Sequence, residues 1–460
     1  MLPRLVSSQG EKSEEIFRAK IDDLSDVLLV EILCRLPCNK LIFQCKLVSK
    51  SWYNLISDPY FVRRYLCLQR QMQKPVLKTL VFFEITKPVS LITTSDHPVF
   101  KAAASNFTLG FLPCYSQAKD IEELVKGSYP LKRHLMEEPG SVEPPIVVGS
   151  YNDFVLCCAT KYYQRHYYLC NPYTKQWVPL PPTPQVSRDA PVAFVCDPYY
   201  YYDGGEEERR TSSTTNITLN AEYKWKAVRL VPNSSDPNFH FEIFSSETRQ
   251  WREIHVACSR PFSSFAILDS GTFPITSSSV AYKGLIYWWS DNGLVLELDL
   301  SKSDTNAMYR FIEAPEDYHK IHGACDLGML GVSQGRLRFC IHRDYLSPWD
   351  HDEGLQSFRV RELKQVVEDS QGRLKWLTDR VSIDCKDVDI AIPNTTKVLA
   401  FHPNNDDVVY MSDGNKIVTC NLRGGRLEKT AATRVKGISR DFYYPFSLPW
   451  WPTPVPKTLE

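Results

Sequence analysis

Residues 21–66 read IDDLSDVLLVEILCRLPCNKLIFQCKLVSKSWYNLISDPYFVRRYL, and the rest of the chain is organised around them. Asp22, Asp23, Ser25 and Asp26 stand before an apolar run. A hydroxyl or carboxylate at that place caps open backbone N–H groups, and negative charge suits the positive end of a helix. Leu24, Leu28, Ile32 and Leu36 recur at helical spacing, with Val27, Leu29 and Leu33 beside them, so the stripe is wide and amphipathic. Pro37 ends this helix, because the residue before a proline is pushed out of the α region. Asn39 can cap a second short helix carrying Leu41, Ile42 and Cys45, and a third runs through Val48, Trp52, Leu55 and Ile56. Asp58-Pro59 makes a turn, after which Phe61, Val62 and Tyr65 begin another helical segment.

A unit this short buries too little surface to be stable by itself. An apolar face left over on it usually marks a partner site. Two readings stay open on physics alone: a small helical subdomain packed on the rest of the chain, or a docking module.

Resemblance separates them. The segment resembles an F-box, the motif that docks substrate receptors onto the Skp-type adaptor of cullin-RING ubiquitin ligases. The matching residues are Leu24, the block Leu28-x-x-Glu31-Ile32-Leu33-x-Arg35-Leu36-Pro37, then Leu41, Cys45, Lys46, Val48-Ser49-Lys50-x-Trp52 and Leu55-Ile56-Ser57-Asp58-Pro59-x-Phe61. The resemblance implies adaptor contacts through Leu24, Ser25, Leu28, Ile32, Leu33, Leu36, Pro37, Leu41, Cys45, Val48 and Trp52. Ser25 departs from the family, which has proline there; serine can still cap, so the expectation is a weakened but not abolished adaptor contact. Cys38 and Asn39 replace the commoner Lys-Ser pair.

The 460 residues suffice for two or three domains, or for one small and one large. Lys+Arg and Asp+Glu balance at 54 each, so there is no basic excess to suggest a nucleic acid. No apolar run reaches the roughly 18 residues of a membrane span, and the N-terminus lacks a signal core. The 14 cysteines are therefore expected to stay reduced, and the chain to work in the cytoplasm or nucleus.

Residues 1–20 are polar and expected to be disordered. Residues 21–66 are the F-box, and 67–80 a linker. From Val76 the helical stripes give way to short β-branched and aromatic runs between turn residues. Two hairpins repeat: YLCNPYTKQWVPL from Tyr168 and FEIFSSETRQWREI from Phe241, which place Trp177 and Trp251 at matching positions. A supersecondary unit recurring in this way signals a repeat architecture. Val280–Trp289 and Leu330–Phe339 each read as strand, tight glycine turn, strand. Strand clusters fall near residues 76–115, 145–181, 190–254, 275–313, 323–384 and 395–440. The pattern resembles the F-box-associated, kelch-like β-propeller of plant F-box proteins. The expected fold is thus α+β multidomain: a small helical F-box, then an all-β propeller of roughly six blades over residues 81–440, and a proline-rich extended tail over 441–460.

Chemistry of other kinds is missing from the motifs. His342-Arg343-Asp344 resembles part of a kinase catalytic loop, but Pro348, Trp349 and Asp350 stand where its metal-binding asparagine would be. Cys34, Cys38 and Cys45 have no Cys or His pair at zinc spacing beside them, so no metal, cofactor or catalytic residue is expected. The resemblance implies a non-catalytic substrate receptor, with the Skp-type adaptor, and through it cullin and RING subunits, as partners. Target contacts are expected on two aromatic-bearing excursions, at Tyr199, Tyr200, Tyr201 and Tyr202 and at Tyr345 and Trp349, since exposed aromatics serve as hot spots. The alternative for those rings is local packing on the propeller wall. The alternatives for the chain are an F-box protein acting outside ubiquitination and a propeller lectin or enzyme whose F-box is incidental.

Overall fold

The computed structural model describes residues 21, 24–36, 39–71, 77–83, 99–101, 108–112, 146–158, 164–171, 174, 176–187, 190–202, 217–231, 239–256, 279–290, 294–302, 308–313, 326–343, 357–368, 370, 374–380, 397–402, 405–413, 416–423, 426–428 and 443–456. The chain divides into two compact units. One comprises Met1–Lys74 with Tyr202–Leu219, the other Pro75–Tyr201 with Asn220–Glu460.

Among the described residues, the smaller unit holds four helices, α1 (Asp26–Leu33), α2 (Asn39–Cys45), α3 (Lys50–Ser57) and α4 (Pro59–Gln71). Their buried faces follow the helical stripes. Leu29, Val30, Leu33 and Cys34 come from α1 and its end, Ile42 from α2, Ile56 from α3, and Phe61, Val62, Tyr65, Leu66 and Leu68 from α4. Ser49 caps α3, its Oγ accepting from the Trp52 N–H at 3.2 Å, and Asp58 Oδ1 accepts from the Tyr60 N–H at 2.7 Å to open α4.

Among the described residues, the larger unit is built of strands. Its first blade contains β1 (Leu77–Phe83), β2 (Val99–Lys101) and β3 (Thr108–Leu112). The second is the meander β4 (Ile146–Tyr151), β5 (Phe154–Cys158), β6 (Tyr167–Asn171) and β7 (Gln176–Pro179). The third is β8 (Val192–Cys196), β11 (Trp225–Val231), β12 (Phe239–Ser245) and β13 (Gln250–Val256); the chain between β8 and β11 carries β9 (Tyr200–Tyr202) and β10 (Ile217–Leu219), the latter part of the smaller unit. The fourth is β14 (Val280–Tyr282), β15 (Leu285–Ser290), β16 (Leu294–Asp299) and β17 (Tyr309–Glu313). The fifth is β18 (Asp326–Ser333), β19 (Arg336–Arg343), β20 (Ser357–Glu368) and β21 (Leu374–Arg380). A single parallel bridge, Glu313 to Lys375, joins the outer strands of these two. The sixth is β22 (Lys397–Phe401), β23 (Val408–Asp413), β24 (Lys416–Asn421) and β25 (Arg426–Glu428).

A final strand, β26 (Tyr443–Leu448), pairs antiparallel with β1 and completes the first blade in the order β2-β3-β1-β26. The innermost strands then neighbour one another in a closed ring: β26, β4, β8, β14, β18, β22 and back to β26. Six four-stranded blades, among the described residues, thus make a propeller closed by strands from both ends of the unit. At residues 443–448 this corrects the expectation of an extended tail. The strand was hidden by Pro445, which lies opposite Val81; a strand with a ladder partner on one side only tolerates a proline.

The core is a series of inter-blade layers. Phe154, Leu156 and Leu169 of blade two meet Phe194, Trp225 and Phe244 of blade three. Leu230, Phe241 and Ile243 meet Ile286, Trp288 and Leu296 of blade four. Trp289 and Ile312 meet Leu337, Phe339 and Leu363 of blade five, and Cys340 and Val360 meet Phe401, Val409 and Met411 of blade six. A Cβ on Gly331 of β18 would run into the Phe401 ring, so only glycine allows the fifth and sixth blades to approach this closely. The hairpin turns expected at Lys283-Gly284 and Gln334-Gly335 have positive φ at both residues, 51° and 79° in the first and 46° and 71° in the second, the type I′ geometry that matches strand twist.

Buried ions reinforce two blade junctions from the second strand of a blade. Arg229 of β11 donates to Glu242, to Gln185 O at 3.0 Å and to Gln164 O at 2.9 Å, under the Tyr167 ring. Arg338 of β19 donates to Asp406 O at 2.6 Å and pairs with its carboxylate at 3.0 Å.

Trp177 and Trp251 occupy matching backbone places. Each is the second residue of its blade's outermost strand, facing Cys170 and Phe244 respectively. Trp251 packs against the margin of the core layer between blades two and three. It is half-buried, with its Nε1–H donating to Pro181 O at 2.7 Å and its ring against Phe244 and Tyr167. An outermost strand faces solvent along one edge, so a ring there covers the layer instead of filling it. The Trp177 side chain lies outside the described residues.

Candidate functional site

The helical unit buries one side of its stripe and leaves the other in water. Val27, Leu28 and Ile32 on α1 are 68%, 54% and 48% exposed, and Leu47 and Val48 after α2 are 85% and 63% exposed. Leu41, Tyr53 and Tyr60 are exposed as well. Leu28 and Ile32 are spaced to stand one above the other on a single helix face. So many large apolar side chains on so small a unit make an interaction surface.

The electrostatics of α1 fix this face in place. Arg64 of α4 forks onto Glu31, Nε to Oε1 at 2.5 Å and Nη2 to Oε2 at 2.9 Å, and Arg35 pairs with the same carboxylate. The hydrogen bonds from Arg64 and Arg35 hold the Glu31 carboxyl down at about 2. Burial, with Glu31 nearby, pushes the Cys34 thiol up to about 12, so this cysteine is a packing residue and no nucleophile. Lys46 lies over the Phe43 and Tyr53 rings at 5.2 and 5.6 Å, and its burial lowers its pKa.

Of the residues named from sequence, Ser25, Leu28, Ile32, Leu41 and Val48 are exposed, and Leu24, Leu36, Cys45 and Trp52 are half-buried. Leu33 is different: at 3% exposure it belongs to the core between the helices, because the stripe on α1 is wide enough to supply two faces. Pro37 lies outside the described residues. Ser25 does not cap α1 with its side chain; only its carbonyl takes part, accepting from the Leu29 N–H at 3.0 Å. Val27, Leu47, Tyr53 and Tyr60 are not among the contact residues named from sequence although they are at least as exposed as Leu28; periodicity alone does not separate a face turned to water from one turned to the core.

The first aromatic excursion is less open than a binding loop would be. Tyr199 and Tyr200 are half-buried, and the Tyr199 ring stands edge-on to Tyr223 at 6.4 Å. Tyr201 is exposed at 46%. The Tyr202 side chain, Tyr345 and Trp349 lie outside the described residues. The return strand of the first excursion, β10, belongs to the helical unit, where it lies against α4 with Ile217 buried.

Comparison with known proteins agrees with this division. The F-box domain family matches residues 21–64. The family described as F-box protein At3g26010-like, beta-propeller, matches residues 134–443. The F-box protein At5g49610 of Arabidopsis thaliana is 25% identical over 316 residues, covering 68% of this chain and 70% of its own. The putative F-box/kelch-repeat protein At1g15680, also from Arabidopsis thaliana, is 22% identical over 471 residues and covers 95% of both chains. With helices that match the F-box and a propeller matched over more than half its length, the chain belongs to the At3g26010-like family of F-box β-propeller proteins.

Proposed function

We propose that this protein is the target-recognition subunit of a Skp–cullin–F-box ubiquitin ligase. The observation that carries the reading is the row of exposed apolar side chains, Leu28 and Ile32 with Leu41 and Val48, on a segment that matches the F-box. A Skp-type adaptor covers that row, and cullin and RING subunits follow through it. The propeller holds the target, since loops between blades vary on a rigid frame. Tyr201 is the exposed one of the three tyrosines of the first excursion whose side chains are described. The subunit supplies no chemistry of its own; it raises the effective concentration of target lysines near a charged conjugating enzyme. It works in the cytoplasm or nucleus.

Co-expression with a Skp-type adaptor, a cullin and a RING subunit tests the reading. The full chain should co-purify with all three, and a form lacking residues 21–66 with none. Capture of the adaptor without the cullin would support action outside ubiquitination. Proximity labelling with both forms, under proteasome inhibition, then identifies the target.

A further inference from the structure

We propose that His240, Glu253 and His255 form a binding site for a divalent transition-metal ion of the Zn²⁺ class, on the two outer strands of the third blade. The strand register assembles it. His240 of β12 lies opposite His255 of β13, and Glu242 opposite Glu253. Side chains alternate along a strand, so all four point from one face of the ribbon. The ligating atoms of His240, Glu253 and His255 all lie within 4.8 Å of one another. The two imidazoles stack with centroids 4.4 Å apart and planes 7° from parallel, and His240 Nε2 is 3.2 Å from Glu253 Oε2.

A second observation points to a ligand. His240 is 5% exposed, and its Nε2 has no hydrogen-bond partner although it faces the carboxylate. A buried polar atom without a hydrogen bond demands an explanation, and an ion is one. Two imidazoles and a carboxylate are a donor set for zinc and its neighbours, whereas Mg²⁺ and Ca²⁺ prefer oxygen alone.

The surrounding charges permit a cation. Arg229 lies opposite Glu242 on the other side of β12, and the two form a fully buried ion pair. Glu242 Oε1 also accepts from the Gln185 N–H at 3.0 Å, which occupies this carboxylate and leaves Glu253 as the carboxylate that faces the two imidazoles. Zinc bonds of about 2.0–2.2 Å keep tetrahedral donors roughly 3.3 Å apart, so the three donors must draw together and the histidine stack must open. Glu253 and His255 are exposed and free to turn, while buried His240 anchors the site. Three protein ligands leave a fourth position for water or for a donor from a bound molecule.

The test uses the full chain, made without a polyhistidine tag and stripped by a chelator. Calorimetric titration with Zn²⁺ is run on wild type, His255→Ala and Glu253→Gln, with Mg²⁺ as the control metal. Loss of a direct ligand should weaken zinc by more than the roughly 10–100-fold that an outer-shell change costs, with no heat from Mg²⁺ in any form. Both substituted residues are exposed, so the metal-free forms should melt alike. Cobalt substitution separates this site from the 14 cysteines: visible bands with no thiolate charge transfer are expected. Equal zinc affinity in wild type and His255→Ala, no zinc binding, or a thiolate band would each overturn the proposal.

Discussion

Arg64 reaches from α4 across the helical unit to hold Glu31 of α1 with both arms of its guanidinium, at 2.5 and 2.9 Å. The contact fixes the helix that carries Leu28 and Ile32. Its stabilisation follows pH in a definite direction. Hydrogen bonds from Arg64 and Arg35 lower Glu31 from 4.5 to about 2, so the contribution is complete above the higher value and is lost as pH falls toward the lower. Side chains this exposed contribute modestly, about 1 kcal/mol or less. Amide exchange at Leu29–Leu33, corrected for intrinsic rates, should therefore lose protection between pH 4.5 and 2 in the wild type. Glu31→Gln should be less protected at neutral pH and lack that acid-sensitive component.

Ser25 holds the backbone that a proline would impose, φ −65° and ψ 150°, without a side-chain cap to lose. Ser25→Pro should then stabilise the helical unit by about 0.4–1 kcal/mol, by restricting the unfolded chain, and should also tighten adaptor binding. A fall in melting temperature would show that the proline does not fit.

Thr453 is tied to Asp153 of the second blade, its N–H donating to Oδ2 at 2.7 Å and its hydroxyl to Oδ1 at 2.8 Å. Asn171 bridges the pair, donating to Asp153 Oδ2 and to Thr453 O, both at 2.8 Å. All three residues are buried. Removing residues 441–460 takes away both β26 and this network, so the truncated chain should lose its cooperative melting and be digested readily by protease. Asp153→Ala alone leaves buried donors unpaired and should cost about 1–3 kcal/mol. A truncated chain that melts like the full one would contradict closure of the ring by β26.

Trp251 couples the outer strand of blade three to Tyr167 of blade two and to Pro181 just beyond that blade's last strand. Because it is half-buried, Trp251→Ala should cost about 3 kcal/mol, the low end for large aromatics. Trp251→Phe keeps most of the ring contact and loses the hydrogen bond, about 1 kcal/mol. Equal losses in the two variants would mean that the hydrogen bond, not the ring, holds the junction.

The helices and the strand clusters were legible in the sequence because both rest on local periodicity, and the glycine turns because positive φ selects residue types. The closing strand was not, since Tyr443–Leu448 carries Pro445 and runs into a proline-rich segment. Its partner β1 lies at the opposite end of the propeller sequence, and no local signal specifies so distant a pairing. The exposed face was half legible. Leu28 and Ile32 could be named, but Leu33, named with them, is buried, and the exposed Leu47 was passed over, because the direction of a wide stripe depends on which helices pack around it. The histidine cluster was invisible for a related reason: His240 and His255 meet only through the register of β12 and β13.

Binding of the Skp-type adaptor to single-site variants measures the central claim most directly. Ile32 and Leu28 are about half exposed, so Ile32→Asp and Leu28→Asp should leave the melting of the free protein almost unchanged. Each would place an unpaired charge where a partner must desolvate it, at several kcal/mol. Calorimetry with purified adaptor should show tight binding by the wild type and none by either variant. Undiminished adaptor binding by both variants would mean that this face is not the docking surface.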